Sequence, residues 1–176
     1  MKKIVLLSLV ALALVSCKKG QTTNPQSVTT IKDTIPDKSA FNIAIVRDSV
    51  VYNESALKFA HTFHDAYVPS EDINFLGTPY VEFAFLSADG LLLNVDGVPY
   101  KPGMVVNTYV TANANGAYFI RAQKLYGIPK DMQIWIRDNL QKDSLELHTG
   151  NYHFSIDKTD TNTFGKRRFQ IVVRPK

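Results

Sequence analysis

From Phe41 onward the apolar residues recur at every second position, and that period decides what the chain can become. Phe41, Ile43 and Ile45 alternate with Asn42 and Ala44, and Val81, Phe83 and Phe85 alternate with Glu82 and Ala84. An extended backbone points successive side chains to opposite faces and so buries such a pattern on one side; a helix would scatter it around its axis. Asp89-Gly90 and Asp96-Gly97 are tight-turn dipeptides, so residues 88–99 read as a hairpin around a short strand over 91–95. Further strands are expected over 104–111, 116–123, 132–138, 145–148, 151–156 and 168–173. About nine or ten short strands separated by Gly, Pro and Asn, without an amphipathic helix, predict an all-β fold: a single antiparallel Ig-like β-sandwich over residues 41–176. Residues 54–76 lack a clean period and fit either one short strand with a loop or a helical turn.

The same alternation assigns faces. Tyr152, Phe154 and Ile156, like Phe169, Ile171 and Val173, share a side, so Phe154 and Phe169 are expected in the core. In the run Met132-Gln133-Ile134-Trp135-Ile136-Arg137, positions 132, 134 and 136 face inward and leave Gln133, Trp135 and Arg137 together outside. His153, Ser155, Arg168 and Gln170 are placed outward by the same rule. One cysteine rules out an intramolecular disulfide, so stability rests on packing, for which a 45% hydrophobic fraction with ten Phe and eight Tyr suffices.

The N-terminus reads as an export signal. Met1-Lys2-Lys3 is a positive start, residues 4–14 are an apolar run too short to span a hydrocarbon core of roughly 30 Å comfortably, and Ser16 is a small residue directly before Cys17. Leu14-Val15-Ser16-Cys17 resembles the lipobox cut by lipoprotein signal peptidase. The resemblance implies that residues 1–16 are removed and that Cys17 carries a diacylglycerol and an amide-linked acyl chain, a stable anchor. Residues 17–40 then form a polar, flexible tether ending near Pro36, Asp37 and Lys38. Removal of Lys2 and Lys3 also erodes the formal net charge of +4. The remaining cations are scattered apart from Lys166-Arg167-Arg168, so nucleic acid is not expected as a partner.

The order of Ile134-Trp135-Ile136-Arg137-Asp138, Leu145-Glu146-Leu147, Asn151-Tyr152-His153-Phe154 and Arg168-Phe169-Gln170-Ile171 resembles β-sandwich modules of exported surface proteins in Bacteroidetes-type bacteria, often found before a type IX secretion tail. Asp138, Tyr152, Phe154, Arg168 and Phe169 match the pattern, and Glu54, Asp65, Asp72 and Leu93 fall where the modules carry related residues. The chain ends at Lys176 without the sorting tail and carries a lipobox instead, so type IX export is not expected. Cys17-Lys18-Lys19 also lacks the acidic run of surface-exported lipoproteins, which favours a periplasm-facing position in the cell envelope. The modules imply no activity.

Residues that carry chemistry are sparse. His61, His64 and Asp65 place three ligand types within five residues, but on extended backbone positions 61 and 64 point to opposite faces, so no metal site is expected. Asp65, Glu71 and Asp72 form an acidic loop open to calcium, yet without the spacing of a dedicated calcium loop. No Gly-x-Ser-x-Gly, His-Glu-x-x-His or phosphate-cradling loop is present. The sequence therefore predicts a non-catalytic module without cofactor, held at a membrane by its lipid, that serves as a protein-interaction or structural accessory. Its contact face is Gln133, Trp135 and Arg137; a glycan-binding lipoprotein using the Trp135 face is the alternative, and a hydrolase a more remote one.

Overall fold

The computed structural model describes residues 34–176; the expected signal peptide, Cys17 and the expected tether up to residue 33 lie outside them. Eleven strands follow one another: β1 (Ser39–Arg47), β2 (Val50–Phe59), β3 (Ile73–Asn74), β4 (Val81–Leu86), β5 (Leu92–Val98), β6 (Met104–Ala112), β7 (Gly116–Tyr126), β8 (Met132–Asp138), β9 (Asp143–Glu146), β10 (Tyr152–Ile156) and β11 (Phe169–Pro175). The only helical piece among the described residues is a 3-10 turn at Thr161–Thr163.

The fold is all-β, as the alternation requires, but its pairing departs from a purely antiparallel sandwich. The strands form one hydrogen-bonded path, β10-β7-β1-β2-β5-β4-β6-β11-β8-β9, with β3 on β5, nearly closed into a barrel. Neighbours are antiparallel except β2 and β5, which run parallel over Ala56↔Val95 to Phe59↔Val98. β5 is shared: its beginning pairs with β4 at Phe85↔Leu93 and its end with β2. Where β5 has left β4, two side chains of β2 bridge the gap. Asn53 Oδ1 accepts from the Phe83 amide at 3.0 Å, and Ser55 Oγ donates to the Phe83 carbonyl at 2.7 Å. Side chains here satisfy backbone groups that a ladder would otherwise satisfy.

Asp96-Gly97 is not a turn; both residues lie inside β5. Gly97 is needed for space instead, because a Cβ there would meet Phe63 Cδ2 at 3.0 Å and the Glu71 carbonyl at 3.2 Å. The tight turns are elsewhere. Asp89-Gly90 does turn, with Gly90 at φ +89°. Arg47↔Val50 closes a two-residue hairpin over Asp48 and Ser49, both at positive φ (50° and 65°), as a type I′ turn demands.

The folded region also begins earlier than Phe41. Ile35 is in the core, Ser39 and Ala40 belong to β1, and Ser39 Oγ donates to the Gly127 carbonyl at 2.9 Å. Phe41, Phe59, Phe83, Phe85, Tyr118 and Phe169 are fully buried, and Phe154 joins them at 4% exposure.

Asp138, Tyr152, Phe154, Arg168 and Phe169 converge on one buried corner. Asp138 ends the inward series 132, 134, 136 of β8 and is completely buried. A carboxylate in that position needs compensation. Arg168 supplies it: Nε and Nη2 donate to Asp138 Oδ2 at 3.3 and 3.2 Å, and the Tyr152 hydroxyl donates to the same oxygen at 3.2 Å. Asp138 Oδ1 accepts the Leu140 and Gln141 amides. The outward placement of Arg168 is therefore corrected: at 2% exposure it lies inside, one residue ahead of β11, drawn there by Asp138. Its Nη1 donates to the carbonyls of Ser155 and Thr163, and its guanidinium lies over Phe154 and Phe169 at 4.8 and 4.7 Å. Burial, and then the Asp138 charge, push the Tyr152 phenol up, keeping it a donor.

Candidate functional site

β8 is flanked by β9 and β11, and the register turns its outward side chains into a grid. Gln133 stands across from Arg174, Trp135 from Val172, and Arg137 from Gln170. β6 extends the grid, with Val105 across from Val172 and Asn107 from Gln170. The face anticipated from alternation is thus present: Gln133 and Trp135 are half-buried and Arg137 is exposed, while Met132, Ile134 and Ile136 are inside.

Two rows run across these strands. The polar row is a chain of bonds in which Arg137 Nη1 donates to Gln170 Oε1 at 3.3 Å and Gln170 Nε2 donates to Asn107 Oδ1 at 2.9 Å. The apolar row is Trp135, Val172 and Val105, the last 45% exposed. The indole N–H donates to Gln133 Oε1 at 3.2 Å, which restrains the ring. The Arg174 guanidinium lies over that ring, 4.7 Å from its centroid, a cation–π arrangement. Trp135, Arg137, Ser144, Val172 and Arg174 line a shallow depression of about 220 Å³.

Arg174 is the member that sequence reasoning missed. The closing strand was expected to stop at Val173, whereas β11 runs to Pro175 and carries Arg174 out beside Trp135. The signal was available, since Arg174 continues the outward series of Gln170 and Val172. Among the described residues neither Arg137 nor Arg174 has a salt-bridged acidic partner; Glu146, across from Trp135, is engaged by the Ile134 amide and His148.

The other candidates disperse. His61 donates its amide to Asp37 at 2.8 Å and pairs with the same carboxylate through its ring. The two bonds from His61 hold the Asp37 carboxyl below its usual range, its backbone bond contributing most. His64 makes the same double contact with Glu71, amide at 2.8 Å and ring at 2.9 Å. Asp65 pairs with Lys101 at 2.8 Å. Asp72 accepts the Val68 and Gly97 amides at 2.6 and 2.7 Å, pinning the loop over 60–72 to β5. Asp65, Glu71 and Asp72 thus bind three different partners and do not converge. Among the described residues no group of three or more His, Cys, Asp or Glu side chains is arranged to hold a metal ion, and no helix is long and apolar enough to cross a membrane. Comparison of the chain with protein-family models, with curated proteins and with solved structures gives no match.

Proposed function

We propose that this chain is a lipid-anchored cell-envelope protein whose β-domain is a non-catalytic interaction module, and that its contact face is the wall bearing Gln133, Trp135, Arg137 and Arg174. The fold is read as a variant of the Ig-like sandwich in which β5, shared between β2 and β4, joins the two layers. One observation carries the functional reading: a half-buried Trp flanked by two guanidiniums without salt-bridged acidic partners, on a rigid wall. Aromatic and Arg side chains held in place are the residues that concentrate binding energy at interfaces, and uncompensated positive charge selects an acidic partner. The occupant is therefore an acidic segment of another envelope protein. The glycan alternative is weaker, because a sugar ring stacks on an open indole face and Arg174 already covers one.

The lipid anchor rests on Leu14-Val15-Ser16-Cys17 and places the module in the envelope, facing the periplasm. Fatty-acid labelling and envelope pull-downs of wild type, Cys17→Ser and Trp135→Ala test both halves. Cys17→Ser should lose the label, and Trp135→Ala should keep it, melt like wild type and lose its partner. A labelled Cys17→Ser protein removes the anchor, and an undiminished pull-down by folded Trp135→Ala removes the face.

A further inference from the structure

Asp96 lies on β5 with 2% exposure, and among the described residues its carboxyl receives no hydrogen bond and no ion pair. It opens onto a cavity of about 370 Å³ whose lining includes the polar residues Asp65, Ser87 and Asn107 and the apolar residues Leu86, Val98, Met104 and Val106. Three further carboxylates press on it electrostatically, those of Asp72, Asp65 and Asp89, and with burial as the largest cause its pKa rises to about 7. Each neighbour has donors of its own. Asp72 holds two amides, Asp89 holds Ser87 Oγ at 2.6 Å and the Tyr67 amide at 3.1 Å, and Asp65 holds Lys101 Nζ at 2.8 Å. Asp96 alone has none.

We propose that this cavity binds a primary ammonium carried on an apolar stem, the charge meeting Asp96 and Asp65 and the stem lying along Leu86, Val98, Met104 and Val106. The dimensions suit a small ligand, as does an apolar wall with a few convergent polar groups. An ammonium supplies the donors that Asp96 lacks and offsets the crowding of like charge. Lys101 already brings such a group to Asp65, on the exposed side. A calcium ion fits less well: it takes six to eight oxygens, and Asp72 and Asp89 are committed to protein donors.

The test titrates the full chain, labelled with ¹³C at carboxyl carbons, against n-hexylammonium, 1-hexanol, Nα-acetyl-lysinamide and calcium chloride. Hexylammonium should saturate and lower the Asp96 titration midpoint by about one pH unit or more, a tenfold preference for the ionised carboxyl. Asp96→Asn, which keeps the shape of the side chain, should weaken binding by about tenfold or more. Nα-acetyl-lysinamide binding as well as hexylammonium assigns the site to a partner's lysine; weaker binding assigns it to a free amine. Hexanol binding as tightly as the amine, unchanged affinity in Asp96→Asn, or a midpoint moved by calcium and not by the amines would each overturn the proposal.

Discussion

Asp138 and Asp96 are both buried carboxyls on strands of one sheet, and they live under opposite conditions. Asp138 accepts from the Arg168 guanidinium, the Tyr152 hydroxyl and two amides of the turn that follows β8. Asp96 accepts from none of the described residues, and three other carboxylates raise its pKa further. Burial alone therefore says little about the role of an acid; the donors around it decide. The first corner is a closed electrostatic unit that ties β8, β10 and the start of β11 together, whereas the second turns a carboxyl without protein donors onto a cavity.

The comparison breaks most decisively at Arg168. Arg168→Met keeps the stem between Phe154 and Phe169 but removes the only cation paired with Asp138 among the described residues, leaving it the Tyr152 hydroxyl and two amides, and should cost about 3–5 kcal/mol in denaturant melts. A cost under about 1 kcal/mol would mean that Asp138 is not held as an ion.

Asp96→Asn should do the reverse. Unfolded, Asp96 ionises near its ordinary 3.8; folded, it keeps its proton to about 7. Between those values the folded state binds more protons, so its stability falls as pH rises and is lowest above about 7. At pH of about 8 Asp96→Asn should gain on the order of 2 kcal/mol, and below about 4 the gain should vanish. A pH-independent difference between the two proteins would show that the carboxyl is not buried as described.

The smallest effect sharpens the second corner. Gly97→Ala pushes a methyl against Phe63 and the Glu71 carbonyl, so the loop over 60–72 must shift. The expected loss is about 1–2 kcal/mol. If it also moves the Asp96 titration midpoint, the loop that carries Asp65 and Asp72 sets the charge environment of Asp96.

Strands with an apolar inward face were legible in the sequence. β8 has the expected bounds, and the interior positions of β4, β10 and β11 follow from Val81, Phe83, Phe85, Phe154 and Phe169. β2 was hidden for two physical reasons. Its inward positions include Asn53 and Ser55, polar because they must serve the backbone of Phe83, and the turn before it is Asp48-Ser49 rather than an Asn-Gly or Asp-Gly pair. Asp96-Gly97 misled because a glycine kept for close approach looks, in sequence, like one kept for a turn. β9 spans Asp143–Glu146, two residues ahead of its expected place, because Ser144 and Leu145 pair with Arg137 and Ile136. The Trp135 face was legible from strand period alone. The pocket at Asp96 was not, since it is made by residues from separate segments, and Lys101 reaches Asp65 across 36 positions.

The place of β1 carries a mechanical consequence. The first strand of the domain is not at an edge but between β2 and β7, antiparallel to both. A pull that enters through the N-terminal end therefore arrives at a strand clasped on two sides, and extracting it means shearing two ladders together, with the Ser39–Gly127 bond resisting at the first residue. An edge strand would peel one bond at a time. A domain pulled by its leading end holds best when the strand that takes the load lies in the middle of its sheet.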